Sequence, residues 1–149
     1  MEIITESEHE TEKEAKRFIG LVEKNKNTEI ATVIALFGDL GSGKTVFVKG
    51  ISAELGVKER VISPTFVIER RYKVEHPTIS TLIHIDAYRL ESSSSLLAID
   101  WRNTVREKSN LICLEWPENV EEVIPKNRFD VHFKSISEKK RSIKYLFNE

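Results

Sequence analysis

The chain has 149 residues, 40% of them hydrophobic and 32% charged: enough for one core and too few for a second full domain, so residues 1–149 are expected to form a single domain. Its 23 basic and 24 acidic residues leave a formal net charge of -1, which excludes the broad cationic field of a dedicated nucleic-acid binder but not a local basic patch. One cysteine, Cys113, excludes an internal disulfide and a cysteine-rich zinc site; with no basic-then-apolar leader and no run near about 18 apolar residues, the expected setting is cytoplasmic, away from membranes.

In chain order, "EIIT" at residues 2–5 reads as a short strand. The next stretch, "SEHETEKEAKRFIGLVEKN", offers Ser7 as an N-cap, acids in the first turn, and Ala15, Phe18, Ile19 and Val22 at helical spacing. "TEIATVIALFG" is a continuous β-rich run, the pattern of a parallel strand covered on both faces. Residues 44–55 read as a helix stopped by Gly56. Beyond it come an extended piece from Pro64 in "PTFVIERRYKV" and a strand in "STLIHIDAYRL". The serines at 92–95 read as a loop or helix cap, and "SLLAIDWRNTVREK" as a helix through Leu97, Ile99, Trp101 and Val105. "NLICLEW" is a strand, and "RFDVHFKSISEKKRSIKYLF" two alternating strands joined by the charged turn "SEKKR". The alternation predicts an α/β fold, with a mixed, mostly parallel sheet flanked by helices and finished by antiparallel C-terminal strands. No internal repeat or linker divides it.

Between the apolar strand and the following helix stands "GDLGSGKT", which matches G-x-x-x-x-G-K-[ST] at Gly38, Gly43, Lys44 and Thr45 in the required strand, loop, helix context. Glycines let the backbone approach a ligand closely, inward-pointing amides make an anion nest, and the helix N-terminus adds partial positive charge. The segment Gly38, Asp39, Leu40, Gly41, Ser42, Gly43, Lys44, Thr45 and Val46 is therefore expected to cradle the phosphates of a nucleotide such as ATP. Lys44 would bridge the outer phosphates and the Thr45 hydroxyl would hold Mg2+.

Such a cradle needs a carboxylate for the metal and a group that positions water. Asp86 after "TLIHI" and Glu115 after "LICL" sit where apolar strands end, the edge at which open parallel sheets gather ligands. Spacing leaves open which acid meets the metal and which orders water; a helix cap for Asp86 and a surface acid for Glu115 are the plainer alternatives. Thr65 in "SPTF" is placed to sense the outer phosphate, or is a turn residue. Arg70, Arg71 and Arg89 are candidate charge stabilisers. No N-K-x-D element follows the loop, which favours adenine over guanine. The histidines show no metal-ligand spacing; His84 shares a strand face with Asp86 and reads as structural or as a support behind a site residue. Cys113 reads as core.

Four separated strings, "GDLGSGKT", "SPTF", "HIDAYRL" and "LEWPE", in this order and in a chain of this size, closely resemble the bacterial TsaE (YjeE) proteins, and the resemblance runs from about Thr11 to Pro125. It implies a P-loop ATPase required for threonylcarbamoyladenosine formation in tRNA, working with partner subunits TsaB and TsaD, of which TsaD is the transferase. It also implies that Lys44 and Thr45 bind phosphate and magnesium, that Asp86 and Glu115 are the acidic catalytic and metal-side residues, that Trp116 is a nucleotide-side or interface aromatic, and that Thr11 lies near the adenine. Two departures stand out: Ser42 replaces a commoner alanine, and the glycine usual near "LLAIDWRNTV" is missing. A small-molecule kinase or a nucleotide-binding regulatory module without turnover are the competing classes. The first usually carries an arginine-rich lid, which the stretch 91–110 does not supply, and Glu115 argues against the second.

Overall fold

The structure is a computed structural model that describes residues 1–26, 28–62, 64 and 68–148, with the backbone alone at 147 and 148. Strand β1 (Glu2–Thr5) leads into helix α1 (Glu8–Asn25). Ser7 caps that helix by accepting the backbone N–H of Glu10 at 3.1 Å, and the Glu10 carboxylate reaches back to the Glu6 N–H at 2.6 Å, a close relative of the capping box. The expected stripe is the buried one: Ala15, Phe18, Ile19 and Val22, joined by Thr11.

Strand β2 (Thr32–Phe37) is followed by the glycine-rich loop and helix α2 (Lys44–Glu54), which ends where Gly56 turns left-handed at φ 76°. Strands β3 (Glu69–Lys73) and β4 (Thr81–Asp86) come next. The extended run expected from Pro64 is interrupted before β3. The Ile68 N–H donates to the Pro64 carbonyl at 2.8 Å and Ile68 has φ 67°, a left-handed turn uncommon for a β-branched residue.

The helix expected across 95–108 is two pieces, α3 (Ser93–Leu97) and α4 (Trp101–Arg106). The break is Asp100, left-handed at φ 62°, and it falls in the stretch where the resemblance led to the expectation of a glycine. Aspartate tolerates this region better than most side chains. Here its carboxylate also accepts from Asn103 Nδ2 at 2.8 Å, and its carbonyl from the Thr104 N–H at 3.1 Å. The serine run thus supplies the start of α3. Strand β5 (Asn110–Glu115), a kinked 3-10 segment (Pro117–Val123), β6 (Arg128–Ser135) and β7 (Arg141–Asn148) complete the chain.

All seven strands form one sheet in the order β1-β7-β6-β2-β5-β4-β3. The neighbours β6, β2, β5 and β4 run parallel; β3, and β7 beside β6, run antiparallel, and β1 reverses again. Five of seven strands therefore point one way, the mixed, mostly parallel α/β sheet that the alternation predicts. Helices α1 and α2 cover one face over Phe18, Phe47, Leu36, Leu111 and Tyr145, and α3, α4 and the 3-10 segment cover the other over Val33, Ile83, Ile112, Leu96 and Trp101. The α1–α2 approach is close enough that a Cβ on Gly50 would stand 2.7 Å from Ala15 Cβ. Cys113 is buried between these elements, and desolvation pushes its thiol pKa up, as fits a core residue. Among the described residues, no helix is long and apolar enough to cross a membrane.

Candidate functional site

Parallel pairing puts the carboxyl ends of β2, β5 and β4 at one edge, and in register: Leu36 lies beside Glu115, and Glu115 beside Asp86. The two-residue period then fixes the face. Leu111, Cys113 and Glu115 alternate onto the α2 side of β5, as Leu82, His84 and Asp86 do on β4. Both acids thus emerge beside the start of α2, whose cap is Gly43 at φ 106°.

The loop itself is tight. A Cβ on Gly38 would lie 2.7 Å from Ser42 Oγ and 2.8 Å from the Phe133 carbonyl, so no larger residue fits without displacing backbone. Ser42 is buried against this glycine and its N–H donates to the Asp39 carbonyl at 3.2 Å, leaving the turn closed despite the departure from alanine.

Lys44, only 5% exposed, donates to the Gly38 carbonyl and stands over the Trp116 ring, 3.8 Å from its centroid. Burial pulls its pKa below the usual lysine value, opposed by the charges of Glu115, Glu118, Asp86 and Asp39. The Thr45 hydroxyl is 3.4 Å from both oxygens of Glu115. Glu115 is 3% exposed and its Oε2 lies 2.6 Å from Nε2 of the fully buried His84. Asp86 Oδ1 accepts the Tyr88 N–H at 2.9 Å. Trp116 sits at φ 58°, and its ring centroid is 5.0 Å from that of Tyr88.

Lys44, Thr45, Asp86, Glu115 and Trp116 face a cleft of about 610 Å³. Residues 40–46 form its floor, Asp86, Glu115 and Trp116 one wall, and Ser7, Glu8 and Thr11 another. Of the loop residues expected at the site, Gly38 and Asp39 do not line the cleft, and Gly38 acts through its carbonyl on Lys44. The Thr11 hydroxyl is engaged by Thr5 Oγ1 at 2.8 Å and the Ser7 carbonyl at 3.2 Å, so this residue shapes the wall and has its own hydrogen bonds met. Thr65 lies outside the described residues.

The three arginines singled out from the sequence do not line the cleft. Arg71 points to the opposite face of the sheet, bonded to Glu69 and to Thr104 Oγ1 at 2.8 Å. The cations at the rim are instead Lys139, from the β6–β7 turn, and Arg141, the first residue of β7. Because β6 runs parallel beside β2, with His132 opposite Phe37, the turn after β6 must hang over the loop after β2. Arg141 Nη1 donates to the Ser137 carbonyl at 2.6 Å, and its Nε is 4.0 Å from where a Cβ on Gly43 would stand. The charged turn "SEKKR" was visible in the sequence, but nothing local said which loop it would cover. Among the described residues, no group of three or more His, Cys, Asp or Glu is arranged to hold a metal ion by itself.

The family model for TsaE, "Threonylcarbamoyl adenosine biosynthesis protein TsaE", matches residues 5–143. The chain belongs to the TsaE family. This match reaches past the 11–125 span of the resemblance, to Thr5 at the end of β1 on one side and beyond Arg141 at the start of β7 on the other. Among TsaE relatives, the tRNA threonylcarbamoyladenosine biosynthesis protein TsaE of Bacillus subtilis (strain 168) is 34% identical over 113 residues, 76% of this chain and 68% of that one. The protein of the same name from Rickettsia bellii (strain RML369-C) is 33% identical over 139 residues, 93% of this chain and 89% of that one. The crystal structure of Bacillus subtilis YdiB superposes with a TM-score of 0.75 at 25% identity, covering 100% of this chain and 86% of that one.

Proposed function

We propose that this chain is the ATP-binding and ATP-hydrolysing subunit of a tRNA threonylcarbamoyladenosine modification complex, using Mg-ATP hydrolysis to support turnover of a partner transferase. The observation that carries the reading is that the loop at 40–46 and the acids Asp86 and Glu115 open onto one cleft. The family name and the names of the relatives supply the pathway. Counterparts of TsaB and TsaD are the proposed partners, tRNA is reached through that complex, and the setting is cytoplasmic.

Each residue has a role its position supports. The amides of residues 41–45 and the α2 N-terminus receive the phosphates, Lys44 leaves the Gly38 carbonyl to neutralise their charge, and Arg141 and Lys139 add cations from the rim. Thr11 and the start of α1 wall the base end. The donor set at the outer phosphate, one hydroxyl and two carboxylates, is all oxygen and incomplete, which suits Mg2+ because that ion keeps several waters and substrate oxygens. When bound, Mg2+ would neutralise charge on the phosphates. Thr45 and Glu115, which already approach each other, fit its protein side; Asp86 is left to orient the attacking water.

Lys44→Ala should abolish ATP binding, measured by calorimetry, whereas Glu115→Ala should keep most of the binding measured in EDTA and lose turnover. Equal loss of both by the second variant would remove its catalytic assignment. Turnover should be slow for the isolated chain and rise when TsaB and TsaD counterparts and substrate tRNA are added; no rise in the full mixture would sink the complex-dependent reading.

A further inference from the structure

Glu115 is a nearly buried carboxylate at a strand tip, and such a group is costly unless donors satisfy it. Among the described residues its hydrogen-bond donors are two. Thr45 Oγ1 is 3.4 Å from either oxygen, long for O–H···O, whereas His84 Nε2 is 2.6 Å from Oε2 alone. His84 has no exposure, and its Nδ1 has no partner among the described residues, so its one short polar contact is with Glu115. The adjacent Lys44 would be the natural partner of a released carboxylate, and Glu115 is the largest of the negative charges acting on it. Yet Lys44 is bonded to Gly38, and no ion pair joins it to Glu115 among the described residues.

We infer that His84 is a positioning residue that pins Oε2 of Glu115 through an Nε2–H donor, reserving Oε1 for the cleft and keeping the carboxylate off Lys44. The inference rests on the Mg-ATPase reading above and adds a residue to it. Strand alternation makes the device possible: His84 and Asp86 share a face, and the β4–β5 register sets His84 beside Cys113, one step below Glu115. An aliphatic residue at position 84 would fill the space but leave both carboxylate oxygens free to turn.

The test compares His84→Phe, which keeps a ring and removes the donor, with His84→Gln, whose amide N–H can reach the same oxygen. Binding of ADP in EDTA reads the phosphate loop alone, and titration with Mg2+ reads the carboxylate. His84→Phe should bind ADP as the wild type does in EDTA, require about 10- to 100-fold more Mg2+ to gain the metal-linked affinity, and lose turnover in the reconstituted complex in proportion. His84→Gln should recover most of both. An unchanged Mg2+ requirement in His84→Phe overturns the inference. So does equal loss of EDTA binding and thermal stability in both variants, which would make the histidine core filling. If wild-type ADP affinity ignores Mg2+, the metal reading itself fails. The pinning is then decided in the free protein by NMR of labelled histidine: a slowly exchanging Nε2–H signal that vanishes in His84→Gln and shifts in Glu115→Gln supports it, and absence of that signal in the wild type overturns it.

Discussion

Lys44 shows what the site costs the chain that carries it. A cation that is 5% exposed gives up hydration, and a carbonyl and an indole face return only part of it, so its pKa is lowered. The sign of the linkage follows. Between the lowered pKa and the ordinary lysine value of 10.5 the unfolded chain holds more protons than the folded one, so stability rises with pH through that window, and below it the penalty is fully present. Lys44→Met should therefore stabilise the nucleotide-free protein near neutral pH by about 1 kcal/mol, a trade of function for stability, with the advantage shrinking as pH approaches the lysine range. Denaturant unfolding of both forms across pH reads this, and a variant less stable than wild type at neutral pH would refute it. Of the residues facing the cleft, Lys44, Thr45, Asp86 and Glu115 were legible because each belongs to a local pattern, a motif or a strand end. The histidine beneath Glu115 was legible as a face-sharer with Asp86, either structural or a support behind the site, but its partner, 31 residues away, was not.

At the level of elements, strands and most helices followed their periodicity, and the misreadings fell where one residue takes a left-handed conformation. Asp100 splits a helix that Leu97, Ile99, Trp101 and Val105 would allow to be continuous, and Ile68 breaks the extended run before β3. Periodicity reports which face is apolar and carries no signal for a single positive φ at a non-glycine residue. The β6–β7 hairpin is the opposite case: its existence was plain, its placement was not. Its turn brings Arg141 over Gly43, so Arg141→Ala should weaken ATP binding by about tenfold, the loss of one charge-assisted hydrogen bond. Calorimetric titration decides this, and an unaltered affinity would remove the hairpin from the nucleotide site.

Across the whole molecule, β2 and β5 lie mid-sheet with helices on both faces, whereas β1 and β3 are edges. Native-state hydrogen exchange should be slowest in β2 and β5 and faster in β1 and β3, and slow exchange spread evenly over all seven strands would contradict that hierarchy. The chain alone determined the α/β class, the phosphate-loop motif and the two acids at strand ends, because each is written in neighbouring residues through hydrophobic period, glycine placement and the point where an apolar run stops. The order of strands decided the rest. Which loop lies over which, which cation reaches the cleft, and which buried side chain holds Glu115 all depend on β6 docking beside β2 and β4 beside β5. Such pairings join segments far apart in the chain through burial shared by both partners, and neither segment carries that information by itself.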